Sequence, residues 1–442
     1  MGVGMTNERP KDLAVTCDQR SLLFLSSAFL FRFGLATMTF EEVRPFDILL
    51  SDYFFFASLL LLLCSPQRRL LKSRGSGVLT ACAAILCGVL LSGVTAAPAL
   101  RLIILFGLFA PLAVAHAKDM QRNMRAIIAG VTFNCVIAFV GLVVPGILHV
   151  LTISPRAPGL AESMGRATGL AGHPNSLGAA VALGVLIAVG LLQYENSRLR
   201  RLALFVSIAI CMIGAVLSGS RSSLVAGVPA LLILMLWRKW NRKFALRLCI
   251  GAAALFVAAL SINYLFLQAT TSYVERLSKT DADDYANSIR LSMATLAIAE
   301  ISQKPIAGYG LAHFGEAGMV YVPDNQDFLP VHNNFLNYWY AEGILGAIGY
   351  ALLFILPMKR MVQTLRRGCP ENLAKALRLG ICVYLVLFIV SNVAPLLLNR
   401  FFYMPLFLFA GLAANIPPER RLATPNLAFP DLSASISRPR SV

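Results

Sequence analysis

Residues 202–237, LALFVSIAICMIGAVLSGSRSSLVAGVPALLILMLW, hold two apolar stretches, 202–217 and 223–237. A six-residue polar turn, Ser218-Gly219-Ser220-Arg221-Ser222-Ser223, joins them. Each stretch approaches the roughly 20 apolar residues a helix needs to span a bilayer. The flanks, 195–201 and 238–247, carry three and five Lys or Arg residues, whereas the turn carries Arg221 alone. Cytoplasmic loops are rich in Lys and Arg, so the flanks are expected inside and the turn outside.

The rest of the chain repeats this pattern. Of 442 residues, 57% are hydrophobic and 14% charged, with a mean hydropathy of +0.70. A soluble domain carries about 25% charged residues. A single water-soluble core cannot hide this apolar surplus, which excludes a cytosolic enzyme, a secreted disulfide scaffold and a disordered chain. Twelve stretches read as transmembrane helices: 21–40, 46–64, 77–94, 102–117, 126–147, 176–194, 202–217, 223–237, 248–267, 334–357, 379–398 and 401–415. The expected fold is all-α, a polytopic transmembrane helix bundle of about 12 helices. No cleavable leader is visible, so the first stretch is expected to act as a retained signal anchor.

With a cytoplasmic N-terminus, the inner segments hold 28 Lys and Arg residues, the outer ones hold 10, and Arg32 lies inside the first helix. Both termini are therefore expected in the cytoplasm: 1–20 as a tail, 21–415 as the bundle, and 416–442 as a disordered tail. The net charge of +17 is a topology signal, and nucleic acid is not an expected partner. All nine cysteines fall in expected helices or on the inner side, without the spacing of a zinc site. Arg32 and Asp52, opposite charges in adjacent helices, read as a structural ion pair.

Two outer loops are long, 148–175 and 268–333. The second contains an expected helix, 287–303, with Leu291, Ala294, Ile298 and Ile301 on one stripe facing the membrane surface or the bundle. It holds eight acidic and four basic residues, so its basic residues need reasons. Four of the five histidines also lie on this side.

Three polar constellations sit here. The first is Arg166-Ala-Thr-Gly169 followed by Gly172-His173-Pro174-Asn175. The second is the turn around Arg221, with Ser220 and Ser222 beside it. The third is His332-Asn333, followed by Gly343 and Gly346. Each has a plain structural reading. Arg166 could be a solvated loop residue, Arg221 an anchor for a helix end, and His332-Asn333 a helix cap. Gly343 and Gly346 read as helix-packing positions, and Glu342 as a buried residue with a structural partner.

In their order these motifs resemble the O-antigen ligase and polymerase superfamily of bacterial inner-membrane proteins. The resemblance rests on R-x-x-G with a following P-N (Arg166, Gly169, Pro174, Asn175) and on the S-R-S turn at Arg221. It also rests on Arg290 with P-x-x-G-x-G (Pro305, Gly308, Gly310), and on H-N-x9-G-x-x-G (His332, Asn333, Gly343, Gly346). It covers about 150–350. It implies glycosyl transfer at the periplasmic face, from an undecaprenyl-diphosphate-linked glycan to a hydroxyl on lipid A–core (ligase) or on another lipid-linked unit (polymerase). The ligase reading is preferred for its long structured loop, with polymerase the alternative. By position the resemblance gives Arg221, Arg290 and His332 catalytic roles. Arg166, Asn175, Ser220, Ser222 and Asn333 would bind the diphosphate or glycan. No Cys/His cluster and no convincing acidic pair sits among these residues, so no metal and no cofactor is expected, and direct attack without an enzyme nucleophile would invert the anomeric carbon.

The chemistry suits these residues. Arginine keeps its charge and grips phosphate oxygens with a planar fork. A histidine can take the proton from an attacking hydroxyl. Two competitors are weaker, the first because it leaves the later motifs unexplained and the second because no repeat is seen and the polar residues cluster at the outer surface. One is a metal-dependent glycosyltransferase using Glu41, Glu42 and Asp47 in the first outer loop. The other is a flippase or transporter, which would place its polar residues at midplane and often repeat internally.

Overall fold

The computed structural model describes residues 11–41, 48–65, 76–92, 96–144, 166–237, 285–310, 319–322, 327–392 and 399–416. Its first half comprises α1 (Lys11–Thr37), α2 (Leu50–Cys64), α3 (Ser76–Leu91), α4 (Ala96–Leu102), α5 (Ala110–His116) and α6 (Met120–Val143). A π-helical run, Ile103–Phe109, joins α4 to α5. Then come α7 (Pro174–Leu191), α8 (Arg198–Ser218), α9 (Arg221–Trp237) and α10 (Tyr285–Gln303). A hairpin of β1 (Met319–Val322) and β2 (Asp327–Pro330) precedes α11 (Asn334–Arg367), α12 (Glu371–Ser391) and α13 (Arg400–Ala414).

Five of the described helical runs are long and apolar enough to cross a membrane: Ala99–Val143, Pro174–Leu191, Arg198–Ser218, Asn334–Arg367 and Glu371–Ser391. Shorter apolar helices accompany them, among them Leu22–Thr37, Leu50–Cys64 and Arg400–Ala414. The chain is a multi-pass, largely helical membrane protein. The run Ala99–Val143 holds two of the expected stretches, folded at the tight turn Ala117–Asp119. The expected stretch 248–267 lies outside the described residues, as do Glu42 and Asp47.

Several expectations need correction. The helix expected at 334–357 continues to Arg367, and α12 starts at Glu371, so the intervening loop is only three residues. The long loop carries a two-stranded antiparallel hairpin, pairing Met319 with Pro330 and Val322 with Asp327, besides its helix. Arg32 and Asp52 do not pair. Arg32 reaches Asp119 at 2.6 Å. Asp52 accepts two 2.8 Å hydrogen bonds from the fork of Arg400, with both residues buried. Two alternating charges on adjacent helices were a weak guide because the true partners come from distant helices.

An aromatic core fixes the start of α11 against α13. The hydroxyls of Tyr338 and Tyr403 are 2.7 Å apart, and Tyr338 stacks on Tyr350. Glu342 is fully buried one turn further along. Neither of its carboxyl oxygens meets a hydrogen-bond partner among the described residues, so the structural partner expected there is not found. Gly346 behaves as expected of a packing position, since it lies against Gly88 of α3 where no side chain would fit.

Gly343 does something else. Its φ of 66° and ψ of −163° break α11. The carbonyls of Tyr340 and Ala341, freed from the helix by this break, accept hydrogen bonds from Tyr309 N–H and Gly310 N–H, both at 2.8 Å. Ile344 N–H in turn donates to the Pro305 carbonyl at 3.0 Å. A Cβ on Gly343 would collide with the Ile306 carbonyl. The segment after α10 is thus stitched by backbone onto a broken transmembrane helix. This requires a left-handed residue that only glycine adopts without strain.

Candidate functional site

The first and second constellations meet through Arg166. Its Nε donates to the Ser218 carbonyl at 2.9 Å, and its Nη2 donates to Asn175 Oδ1 at 3.1 Å. Ala167 N–H also donates to the Leu217 carbonyl. Arg166 is therefore half-buried scaffold that clips its loop to the end of α8 and the start of α7, and not a solvated loop residue. These two hydrogen bonds, to a carbonyl and an amide oxygen, fix the guanidinium in place.

The loop after Arg166 is held from beneath. Asn134, buried in α6, accepts from Leu170 N–H at 2.8 Å and donates to the Thr39 carbonyl at 3.1 Å. An amide inside an apolar run is costly unless satisfied, and that was the sequence signal by which Asn134 could have been found.

His173 caps α7. Its Nδ1 accepts from Asn175 N–H at 3.1 Å. The imidazole is accessible yet enclosed by enough protein to lower its pKa from the usual 6.5 to about 4. Desolvation is the main cause, followed by the guanidinium of Arg166 and then by repulsion between the two rings when His332 is also protonated. The third constellation therefore lies within electrostatic reach of the first.

The turn between α8 and α9 is shorter than expected. α8 ends at Ser218, Gly219 closes it, and Arg221 is already the first residue of α9. Ser220 is buried against Gly178 of α7. Arg221 itself is half-buried. A cation at a helix N-terminus opposes the helix dipole, at a cost of about 0.3–1 kcal/mol. The same opposition concentrates positive potential where an anion could sit. The side chain of Ser222 lies outside the described residues.

His332 is fixed from both sides. The preceding Val331 is buried in a small cluster with Ala297, Ile301 and Tyr340, and its carbonyl accepts from Asn337 Nδ2 at 2.8 Å. The following Asn333 caps α11 by accepting from Leu336 N–H at 3.1 Å, while its amide donates to Asn392. The capping role considered for this pair thus falls to Asn333, and the half-buried ring of His332 stands between two anchored neighbours.

Arg290 is carried separately, on α10. The buried side of this helix is Met293, Ala297 and Ile301, while Leu291 and Ile298 are exposed. The stripe expected through Leu291 and Ile298 is thus turned away from the bundle. Arg290 lies one turn before Met293 on the buried side, and it is half-buried. The end of α10 is tied down by Tyr309, which stacks on Tyr340 at 5.0 Å and donates to the Glu300 carbonyl, and by Trp339, which donates to the Pro305 carbonyl.

One end of the bundle thus collects the N-termini of α7, α9 and α11 with Arg166, His173, Arg221 and His332. Among the described residues, no three His, Cys, Asp or Glu side chains gather as metal ligands. Such an end can hold an anionic group by charge and hydrogen bonds.

Comparison with known proteins points the same way. A family model described as O-antigen ligase matches residues 206–351, a span that contains Arg221, Arg290 and His332. An uncharacterized protein of Haemophilus influenzae is 26% identical over 203 residues, which is 43% of this chain and 49% of that protein. The chain thus spans about half the length of the curated relative it matches.

Proposed function

We propose that the protein transfers a glycan from an undecaprenyl-diphosphate carrier to an acceptor hydroxyl at the periplasmic face of the inner membrane. One observation carries this reading: Arg166 joins Ser218 and Asn175 while His332 acts electrostatically on His173. Three sequence motifs thereby meet at one set of helix N-termini. The match to the O-antigen ligase model over 206–351 supports the same reaction class.

In this reading the protein has about twelve spans, with both termini cytoplasmic and the segments 148–175 and 268–333 in the periplasm. The charge split of 28 inner to 10 outer Lys and Arg residues supports that orientation. Membrane lipids surround the bundle, and the acceptor is lipid A–core in a ligase or a second lipid-linked unit in a polymerase.

The diphosphate becomes fully charged as the glycosidic bond breaks. Arg221 and Arg290 stabilise that charge where the bilayer lowers the dielectric. Arg166, Asn175, Ser220, Ser222 and Asn333 shape the surrounding pocket. His332 takes the proton of the acceptor hydroxyl as it attacks the anomeric carbon. Direct attack without an enzyme nucleophile inverts that carbon. Positive side chains take the part a divalent cation would otherwise play at the diphosphate, and transfer by the purified protein is expected to survive EDTA.

Deletion of the gene followed by gel analysis of envelope polysaccharides tests the reading. Lipid A–core without long chains, beside accumulated lipid-linked polymer, supports a ligase. Single-repeat material supports a polymerase, and an unchanged envelope counts against both. A cysteine introduced at Asp324 should react with an impermeant probe in cells whose inner membrane is intact.

A further inference from the structure

We propose that His173 is a further substrate-contacting residue, whose Nε2–H donates a hydrogen bond to a diphosphate oxygen of the lipid-linked donor. The inference rests on the glycosyl-transfer reading and assigns a residue that the motif resemblance did not select.

Hydrogen-bond geometry determines the ring's tautomer. A neutral imidazole carries one proton, and Nδ1 accepts the Asn175 N–H at 3.1 Å, so the proton is on Nε2. That N–H meets no acceptor among the described residues, and the side chain is accessible.

A chain of contacts holds the ring in place. The Ser218 carbonyl receives Arg166, Arg166 donates to Asn175 Oδ1, and Asn175 N–H donates to His173. These contacts fix the ring through Nδ1, and Nε2–H is the end of the ring that they leave for a ligand. Gly172 supplies the left-handed turn that presents the ring, and Pro174 starts the helix immediately after it.

The charge state suits the task. Arg166 and His332 disfavour a protonated His173, which therefore stays neutral near pH 7. A neutral donor can add a hydrogen bond to a phosphate oxygen without adding another mutually repelling cation. It also cannot serve as a base in this tautomer, which leaves proton removal to His332.

Two substitutions separate contact from capping. His173→Asn keeps a short acceptor that can cap α7 but removes the Nε2 donor. His173→Gln extends an amide N–H towards the Nε2 position but caps poorly. Full-length protein in lipid nanodiscs would be assayed with an undecaprenyl-diphosphate-linked glycan, alongside melting temperature.

The expected result is a kcat/KM about 10- to 100-fold lower for His173→Asn, at an unchanged melting temperature, with part of the loss restored in His173→Gln. If Asn is as active as Gln or more so, His173 acts only through the cap and the inference is overturned. Arg221→Ala and His332→Ala serve as controls in the same assay. Wild-type rates in both would overturn the transfer reading along with this inference, whereas their loss beside an active His173→Asn would overturn the inference alone.

Discussion

Among the described helices that begin with an arginine, α9 and α13 differ in the surroundings of that end. Arg400 opens α13 and is buried, with both carboxylate oxygens of Asp52 at 2.8 Å. Arg221 opens α9 beside a loop where Arg166 is held by a carbonyl and an amide oxygen, both neutral. A helix N-terminus repels a cation in either place. At Arg400 a carboxylate cancels the charge and the ion pair is sealed, which is how a membrane protein uses charge as scaffold. Around Arg166, hydrogen bonds go to a carbonyl and an amide oxygen, and His173 lies close enough to feel its charge. The contrast separates an arginine sealed in an ion pair from the arginines that the proposed function assigns to the diphosphate.

The largest expected effect falls on the open end. His332→Ala should slow transfer about 10²- to 10⁴-fold through loss of acceptor activation, with donor binding largely kept. Rates per folded molecule in nanodiscs, beside donor-binding titrations, check this. If the variant loses protein level while its rate per molecule is normal, His332 belongs with the scaffold.

The sealed end should respond in stability. Asp52→Ala strands a buried guanidinium and should cost about 3–5 kcal/mol, seen as lost membrane abundance and an earlier unfolding transition in detergent. The double replacement Asp52→Leu with Arg400→Leu should recover most of that loss. A double variant as unstable as the single one would show that the pair is more than scaffold.

The comparison also shows what the sequence could reveal. The apolar runs, the loop helix and the separate motifs were legible, because local hydropathy and turn residues decide them. The loop helix was expected at 287–303 and spans Tyr285–Gln303. Its buried side was not legible. Leu291 and Ile298 are more apolar than Ala297, yet Ala297 is buried because α11 approaches there closely. Charge pairing was equally hidden, since Asp52 and Arg400 are separated by 348 positions. Nor could spacing show that Gly343 breaks a helix to receive Gly308 and Gly310, because that break exists only once the two segments dock.

Gly343 therefore provides a smaller test of how the segment after α10 is held. Gly343→Ala should cost at least about 1–2 kcal/mol from the left-handed backbone alone, and more from the collision with the Ile306 carbonyl. Proteolysis between α10 and α11 should quicken. Unchanged protection would mean that the backbone stitching does not hold the loop. Asn333→Ala, which removes the cap of α11, should lower stability by about 1 kcal/mol in the same unfolding assay.

A further effect is one of pH. The folded pKa of His173 lies near 4 and the unfolded value near 6.5. Between those values the unfolded chain takes up a proton that the folded chain refuses. The contribution to stability is complete above pH 6.5 and is lost as pH falls towards 4. The wild-type melting temperature should therefore drop further than that of His173→Asn between pH 7 and pH 4.5.

The role of the open end is tested most directly at Arg221. Purified protein and its Arg221→Ala and Arg221→Lys variants would be compared for glycan transfer from an undecaprenyl-diphosphate donor, with rates normalised to folded protein. The alanine variant is expected to fold normally and turn over at least about 100-fold more slowly, a loss of about 3 kcal/mol in transition-state stabilisation. Lysine should restore only part of the rate, because a point charge cannot copy the guanidinium fork. A folded Arg221→Ala protein that transfers glycan at near wild-type rate would contradict the assignment of this helix end as the diphosphate site.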